Sequence, residues 1–282
     1  MNANLLAQSA LSGLFSGGLY ALLGLGLSLS WRFLRIINLS HFAMIFLAAY
    51  LTYQCTAIWK INPYLVPLFL IPLFFVVAAL QQLAIIRFGI DEFGSIVATF
   101  GVTIVVEALL QLIWSADFLR LETDHLKGSM VLGSLLVPWA DAFMFMCAVT
   151  TCVGAWGLLR FTYIGKALRA NVENPAIASI FGVQSRRLSL LVAGSAGGLA
   201  AFGGVFIALL FALTPSQMYS WFGVIFATVI MGGLGSPLGV LVAGLLVGVS
   251  ESFAMALVAP SWAPIVPFTL MVSLLTLRPG RI

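Results

Sequence analysis

Residues 188–213 read LSLLVAGSAGGLAAFGGVFIALLFAL, twenty-six positions without a charged side chain. A helix needs about 20 predominantly apolar residues to cross a hydrocarbon core, so this run alone is long enough to span a membrane. The chain on either side has the same character. Of 282 residues, 62% are apolar and 8% charged, against about 45–50% and about 25% in soluble domains, and the mean hydropathy is +1.12. The strands of an outer-membrane barrel would alternate apolar and polar residues in segments of about ten. Continuous apolar runs instead define an all-α, polytopic inner-membrane helical bundle.

Membrane-crossing segments are expected near residues 5–30, 42–59, 64–86, 94–114, 138–159, 188–213, 222–234, 237–258 and 264–277. The seventh and ninth fall short of a full span, as half-helices or as parts of a neighbour. Basic residues gather at Arg32 and Arg35, at Arg160, Lys166, Arg169, Arg186 and Arg187, and at Arg278 and Arg281. Counting crossings puts all three groups on one side, which the positive-inside rule makes cytoplasmic, with the amino terminus outside and the carboxyl terminus inside. The loop 87–93 then also lies inside. The loop 115–137 lies outside, carrying Asp117, Glu122 and Asp124 against Arg120 and Lys127, and its 128–137 end has the makings of a small hairpin. The formal charge of +4 therefore reports orientation and not nucleic-acid binding. No Lys or Arg precedes the first apolar run, so the positive region of a cleavable signal is missing and the first helix is expected to stay. Cys55, Cys147 and Cys152 match neither a disulfide framework nor a metal site and read as packing residues.

Residues 9–46 superpose on residues 189–226 without a gap. Ser9, Leu11, Gly17, Gly18, Leu19, Ala21, Gly24, Leu29, Ser40, Phe42, Ile45 and Phe46 all recur 180 positions later. An odd number of crossings separates the copies, so the two halves, about 5–114 and 188–277, are expected to be inverted repeats within one transmembrane domain covering 1–282. Gly13, Gly17 and Ala21 share a helix face at four-residue spacing, and Ala193, Gly197 and Ala201 repeat it, the pattern of close helix packing in lipid.

No phosphate-cradling loop, nucleophilic triad or metal-spaced cluster is present, so if ATP is used another chain binds it. Ionisable groups inside a membrane are costly and face a bundle interior or a water-filled path. Glu107 lies one turn before Gln111 on a shared face, and Glu251 follows a glycine-rich helix. Asn38, Ser40 and His41 lie in IINLSHF, where the first copy breaks before its next helix. Two readings stand for these places: hydrogen bonds that fix packing, or a translocation path. A broken helix on such a path offers N–H groups and a positive dipole end to a carboxylate. In the second half Gly232, Gly233 and Gly235, followed by Ser236 and Pro237, mark a hinge or cavity lining.

The segment 160–187 is the longest interruption rich in positive charge. Asn174 reads as an N-cap, Pro175 as the first helical residue and Gly182 as the residue just past the end. Ile177, Ile180 and Phe181 fall on one edge of that helix. So short a helix is marginal alone. It either lies on the headgroups as an amphipathic element or docks into a groove of a soluble partner.

GKALRANVENPAIASIFGV followed by a basic pair resembles the coupling region of permease subunits of the high-affinity branched-chain amino acid ABC importers, the LivH type. GGLYALLGLGLSL with IINLSHFAMIFLAAYLTY, TFGVTIVVEALLQLIW and MGGLGSPLGVLVAGLLVGVSES extend the resemblance over nearly the whole chain. At IINLSHF the family commonly has a sequence like INFAHG; here Leu39, Ser40 and Phe42 stand for Phe, Ala and Gly, and the acidic residue often found after that His is absent. The resemblance implies an inner-membrane permease, not an enzyme, that translocates branched-chain or related small amino acids or amides. It implies a second homologous permease, two cytoplasmic ATPases that hold the ATP and Mg, and an external solute-binding protein. It also implies that Arg169, Asn174, Pro175, Ile177, Ile180, Phe181 and Gly182 contact the ATPase. An ion-coupled secondary transporter using Glu107 and Glu251 is the competing class, and a non-transporting membrane scaffold is a third.

Overall fold

A computed structural model describes residues 3–122, 128–133 and 135–277. Asp124, Lys127, Arg278 and Arg281 lie outside the described residues. Eleven α-helices occur among those described: α1 (Ala3–Leu34), α2 (Ser40–Tyr53), α3 (Val66–Arg87), α4 (Glu92–Trp114), α5 (Trp139–Phe161), α6 (Tyr163–Glu173), α7 (Pro175–Ile180), α8 (Ser185–Leu210), α9 (Met218–Gly232), α10 (Pro237–Leu257) and α11 (Ile265–Leu277). Seven are long and apolar enough to cross a membrane: α1, α2 with its π-helical extension Gln54–Ile58, α3, α4, α5, α8 and α10. The 15 residues of α9 and 13 of α11 reach only about 20 Å at 1.5 Å per residue. Both are therefore short elements, as their apolar runs foretell. The 128–137 hairpin is also present, with β1 (Ser129–Leu132) paired antiparallel to β2 (Leu135–Pro138).

Two ends of the bundle are tied separately. At one end, Gln8 on α1 exchanges two hydrogen bonds of 3.0 Å with the backbone of Leu136 on β2, and Leu119 pairs with Leu213 after α8. At the other, Arg35 just past α1 donates to the Val172 carbonyl on α6 at 2.9 Å, and Gly235 N donates to Ser28 Oγ at 2.9 Å. The basic segment and the glycine turn before α10 therefore share the end away from the hairpin.

Packing is reciprocal. The most extensive contact is α1 on α10, followed by α3 on α8, with α2 also laid on α8 and α1 on α8. The small-residue faces explain the closeness. A Cβ added at Gly17 would stand 2.5 Å from the Gly244 carbonyl oxygen on α10, and one at Gly197 would stand 2.5 Å from the Phe74 carbonyl oxygen on α3. Helices meet backbone to backbone here because lipid tails supply no hydrophobic drive and only close van der Waals contact is left. The core gathers around Leu19, Leu22, Phe42, Phe46, Tyr50 and Phe74, all at most 1% exposed. By contrast α4 and α5 expose most of their surfaces, including Val105, Leu112, Met146 and Leu158.

Candidate functional site

The break between α1 and α2 is a polar junction. Arg35 takes a positive φ of 56° and ends α1. Asn38 Oδ1 accepts from Ser40 N at 3.1 Å and from Ser40 Oγ at 2.6 Å, and Gln81 Nε2 on α3 donates to Ser40 Oγ at 2.7 Å. Leu39 N donates to Thr99 Oγ1 on α4 at 3.1 Å. The N–H groups of Leu39 and Ser40 are thus spent inside the chain, holding α2, α3 and α4 together. His41 is 2% exposed and its Nε2 donates to the Leu23 carbonyl of α1 at 3.0 Å. A buried imidazole with one backbone partner is anchored to α1 in that rotamer.

Glu107 and Glu251 are each paired with a tyrosine from the other half of the chain. Tyr219 Oη at the start of α9 donates to Glu107 Oε2 at 2.5 Å, and Gln111 Nε2 donates to Glu107 Oε1 at 3.3 Å. Tyr20 Oη on α1 donates to Glu251 Oε2 on α10 at 2.7 Å. Each bond joins helices that are distant in sequence, so both pairs clamp them together. Glu107 is half-buried on the face of α4 that carries the buried Thr103 and Leu110, away from the exposed Val105, Leu109 and Leu112.

Gly233 and Gly235 take positive φ values of 83° and 74°, which only glycine adopts at no steric cost. Ser236 then caps α10, its Oγ accepting from Gly239 N at 3.2 Å. Gly235 and Ser236 line a cavity of about 380 Å³ with Arg32, Trp156, Arg160 and Arg169. That lining places these two residues beside the basic end of the bundle.

The basic segment folds as two helices. Asn174 Oδ1 accepts from Ala176 N and Ile177 N, both at 3.1 Å, Pro175 opens α7, and Gly182 follows its end with φ 82°. Ile177, Ile180 and Phe181 are 53%, 80% and 82% exposed, while Ala178 faces inward at 3%. Arg169 donates to the Leu159 carbonyl on α5, pinning α6 to α5, and Ser185 Oγ donates to Asn171 Oδ1 at 2.5 Å, tying α8 to α6. Sequence reading missed α6. Its one local signal is Thr162, whose hydroxyl accepts from Gly165 N at 3.2 Å. Gln81, Thr99, Tyr20 and Tyr219 were also missed; a tyrosine inside an apolar helix signals that its hydroxyl needs a partner.

The fold is that of a polytopic helical membrane protein. The chain belongs to the family described as branched-chain amino acid transport system, permease component, whose model matches residues 9–275. It is similar to the high-affinity branched-chain amino acid transport system permease protein BraD of Pseudomonas aeruginosa, 22% identical over 98% of this chain and 94% of that one. It is also similar to LivH of Salmonella typhimurium, with the same name otherwise, 22% identical over 98% and 94%. The probable LivH permease of Methanocaldococcus jannaschii is 26% identical over 83% of this chain and 76% of that one. No solved structure matches the chain.

Membership makes the chain a multi-pass permease component of an ABC transport system, and not an enzyme. It decides between the transporter classes in favour of ATP coupling over an ion-driven carrier. It also excludes the inert scaffold. Such a permease works with ATPase and solute-binding-protein partners.

Proposed function

We propose that this chain forms the translocation pathway for branched-chain or related small amino acids or amides across the bacterial inner membrane, driven by ATP on partner subunits. The observation that carries the coupling is the exposed edge of α7: Ile177, Ile180 and Phe181 stand outward on a helix fixed by Asn174 and Gly182. In the assembly we assign, a second homologous permease completes the membrane unit. Two cytoplasmic ATPases hold ATP and Mg, and an external solute-binding protein delivers the solute. The amino terminus faces outside and the carboxyl terminus the cytoplasm, on the positive-inside rule.

Glu107 supports the position of the second permease. A charged residue such as Asp, Lys or Arg at the centre of a lipid-facing helix costs about 2.5–3.5 kcal/mol on insertion scales. The half-buried Glu107, with Gln111 and Tyr219, is therefore assigned to the solute path or to the seam with the second permease. Asn38, Ser40, His41 and Glu251 are assigned to positioning the helices that flank the path, and Gly235 and Ser236 to its cytoplasmic hinge.

The mechanism follows from two inverted halves. α1 packs on α10 and α8 packs on α3, so the first helix of each half lies on the third of the other, and the glycines involved, Gly17 and Gly197, are 180 positions apart. This exchange supports inverted repeats about 5–114 and 188–277. ATP-driven closure of the ATPases pushes α7, and α6 transmits the push to α5 and α8 through Arg169 and Ser185. The differential contacts of the ATPases in their open and closed states supply the bias. Reconstituted uptake tests the reading. Leucine accumulation in proteoliposomes should require ATP, the ATPases and the binding protein together; accumulation driven by an ion gradient without them would overturn it.

A further inference from the structure

Two adjoining cavities at the basic end are given no ligand by the transport reading. The first, about 380 Å³, has three arginines in its lining, Arg32 on α1, Arg160 on α5 and Arg169 on α6, against one acidic residue, Glu173. Arg160 stacks over the Trp156 ring with its Cζ 5.3 Å from the centroid, and Arg169 spends a donor on the Leu159 carbonyl. Each guanidinium carries five N–H donors, and among the described residues the Arg169 bond is the one hydrogen bond these three side chains make. Ser236 and Pro237, at the positive end of the α10 dipole, form another part of the wall. The second cavity, about 680 Å³, runs between α1, α3, α5, α6 and α8 and is almost wholly apolar, with Leu29, Ile71, Gly154 and Leu199 in its lining. Nothing lies within 4 Å of a Cβ added at Gly154, so the groove is open there. Phe33 and Leu159 belong to the linings of both.

We propose that this pair is a binding site for an anionic phospholipid, with the phosphate held by Arg32, Arg160 and Arg169 and an acyl chain laid in the apolar groove. Charge decides the headgroup, because a phosphate accepts bidentate bonds from arginine forks and basic pockets between membrane helices suit anionic lipids. The groove decides for a lipid over a free anion, because inorganic phosphate leaves an open apolar channel beside it unfilled. An acidic segment of a soluble partner would fill the arginine cavity but not a channel walled by four membrane-crossing helices and α6. On the orientation proposed above the lipid belongs to the cytoplasmic leaflet, beside α6. It would then brace the helix that carries the coupling edge.

The test uses the full chain purified in a mild neutral detergent and titrated with phosphatidylglycerol or phosphatidylcholine under native mass spectrometry. It depends on neither the orientation nor the transported solute. Phosphatidylglycerol is expected to bind in preference. The double variant Arg32→Gln/Arg160→Gln should weaken it about thirtyfold, at the usual worth of a basic residue near an anionic surface, with phosphatidylcholine unchanged. Equal binding of the two lipids, or undiminished binding in the variant, overturns the proposal. Displacement by millimolar inorganic phosphate overturns it in favour of a free-anion site. Should the double variant fail to insert, a photoreactive benzoylphenylalanine at Trp156 in the otherwise unaltered chain decides. Crosslinking to phosphatidylglycerol above that from the same group at Leu112, which is 81% exposed on α4, supports the site, and equal labelling sinks it.

Discussion

Gly17→Ala puts the packing of the two halves to the sharpest test. The added methyl would stand 2.5 Å from the Gly244 carbonyl oxygen and 2.7 Å from Leu245 Cα, both backbone atoms that cannot rotate away. Ordinary contact begins near 3.4 Å, so α1 and α10 must part by the better part of an ångström. A gap of about 0.5–1 Å forfeits a quarter to a half of each affected contact, and overpacking of this kind costs about 1–3 kcal/mol. Alanine returns about 0.5–1 kcal/mol by helix preference, leaving a net loss of about 0.5–2 kcal/mol. Gly197→Ala should behave alike, since its methyl meets the Phe74 carbonyl oxygen at 2.5 Å. Gly157→Ala on α5 is the control, because nothing lies within 4 Å of its added Cβ. Thermal unfolding in mild detergent should rank both variants below the original chain and the control at or above it. Equal stability of Gly17→Ala and Gly157→Ala would refute the close α1–α10 seam.

Other expectations follow from the same contacts. Tyr20→Phe leaves Glu251 without its donor in a partly buried position and should lower stability by about 1–3 kcal/mol, measured by the same unfolding; the double variant Tyr20→Phe/Glu251→Leu should regain much of the loss. Asn174→Ala removes two bonds that cap α7 and should cost about 1 kcal/mol, read as weaker ATPase retention on affinity purification with membrane insertion unchanged. Glu107→Leu should insert at least as well as the original chain yet lose uptake in reconstituted vesicles; full uptake would remove Glu107 from the path and from the permease interface.

Much of this fold was legible because each span is an uninterrupted apolar run bounded by charge or proline. Asn174, Pro175 and Gly182 were readable as local punctuation, since a cap acts within three residues of itself. α6 was not legible, because Gly165 and Asn171 among basic residues look like a loop. Tertiary contact makes it a helix: Gly165 lies so close to the Leu159 carbonyl that no side chain fits between them. The carboxylates were visible, but not their partners. Tyr20 meets Glu251 across 231 residues and Tyr219 meets Glu107 across 112, and no local pattern encodes such distances. The Asn38 junction was legible as a break. That its amides are paired inward with Thr99 and Asn38 is a fact of how α2, α3 and α4 converge.

The coupling edge is the centre of the account, and Phe181→Asp addresses it most directly. Phe181 is 82% exposed, so a carboxylate there costs the isolated permease little, whereas burying that charge against an apolar groove is costly. Copurification of the ATPases with the variant permease, scored against membrane-inserted permease, is the measurement. The account predicts that ATPase recovery is lost while insertion is kept. Recovery at the level of the unaltered chain would contradict it.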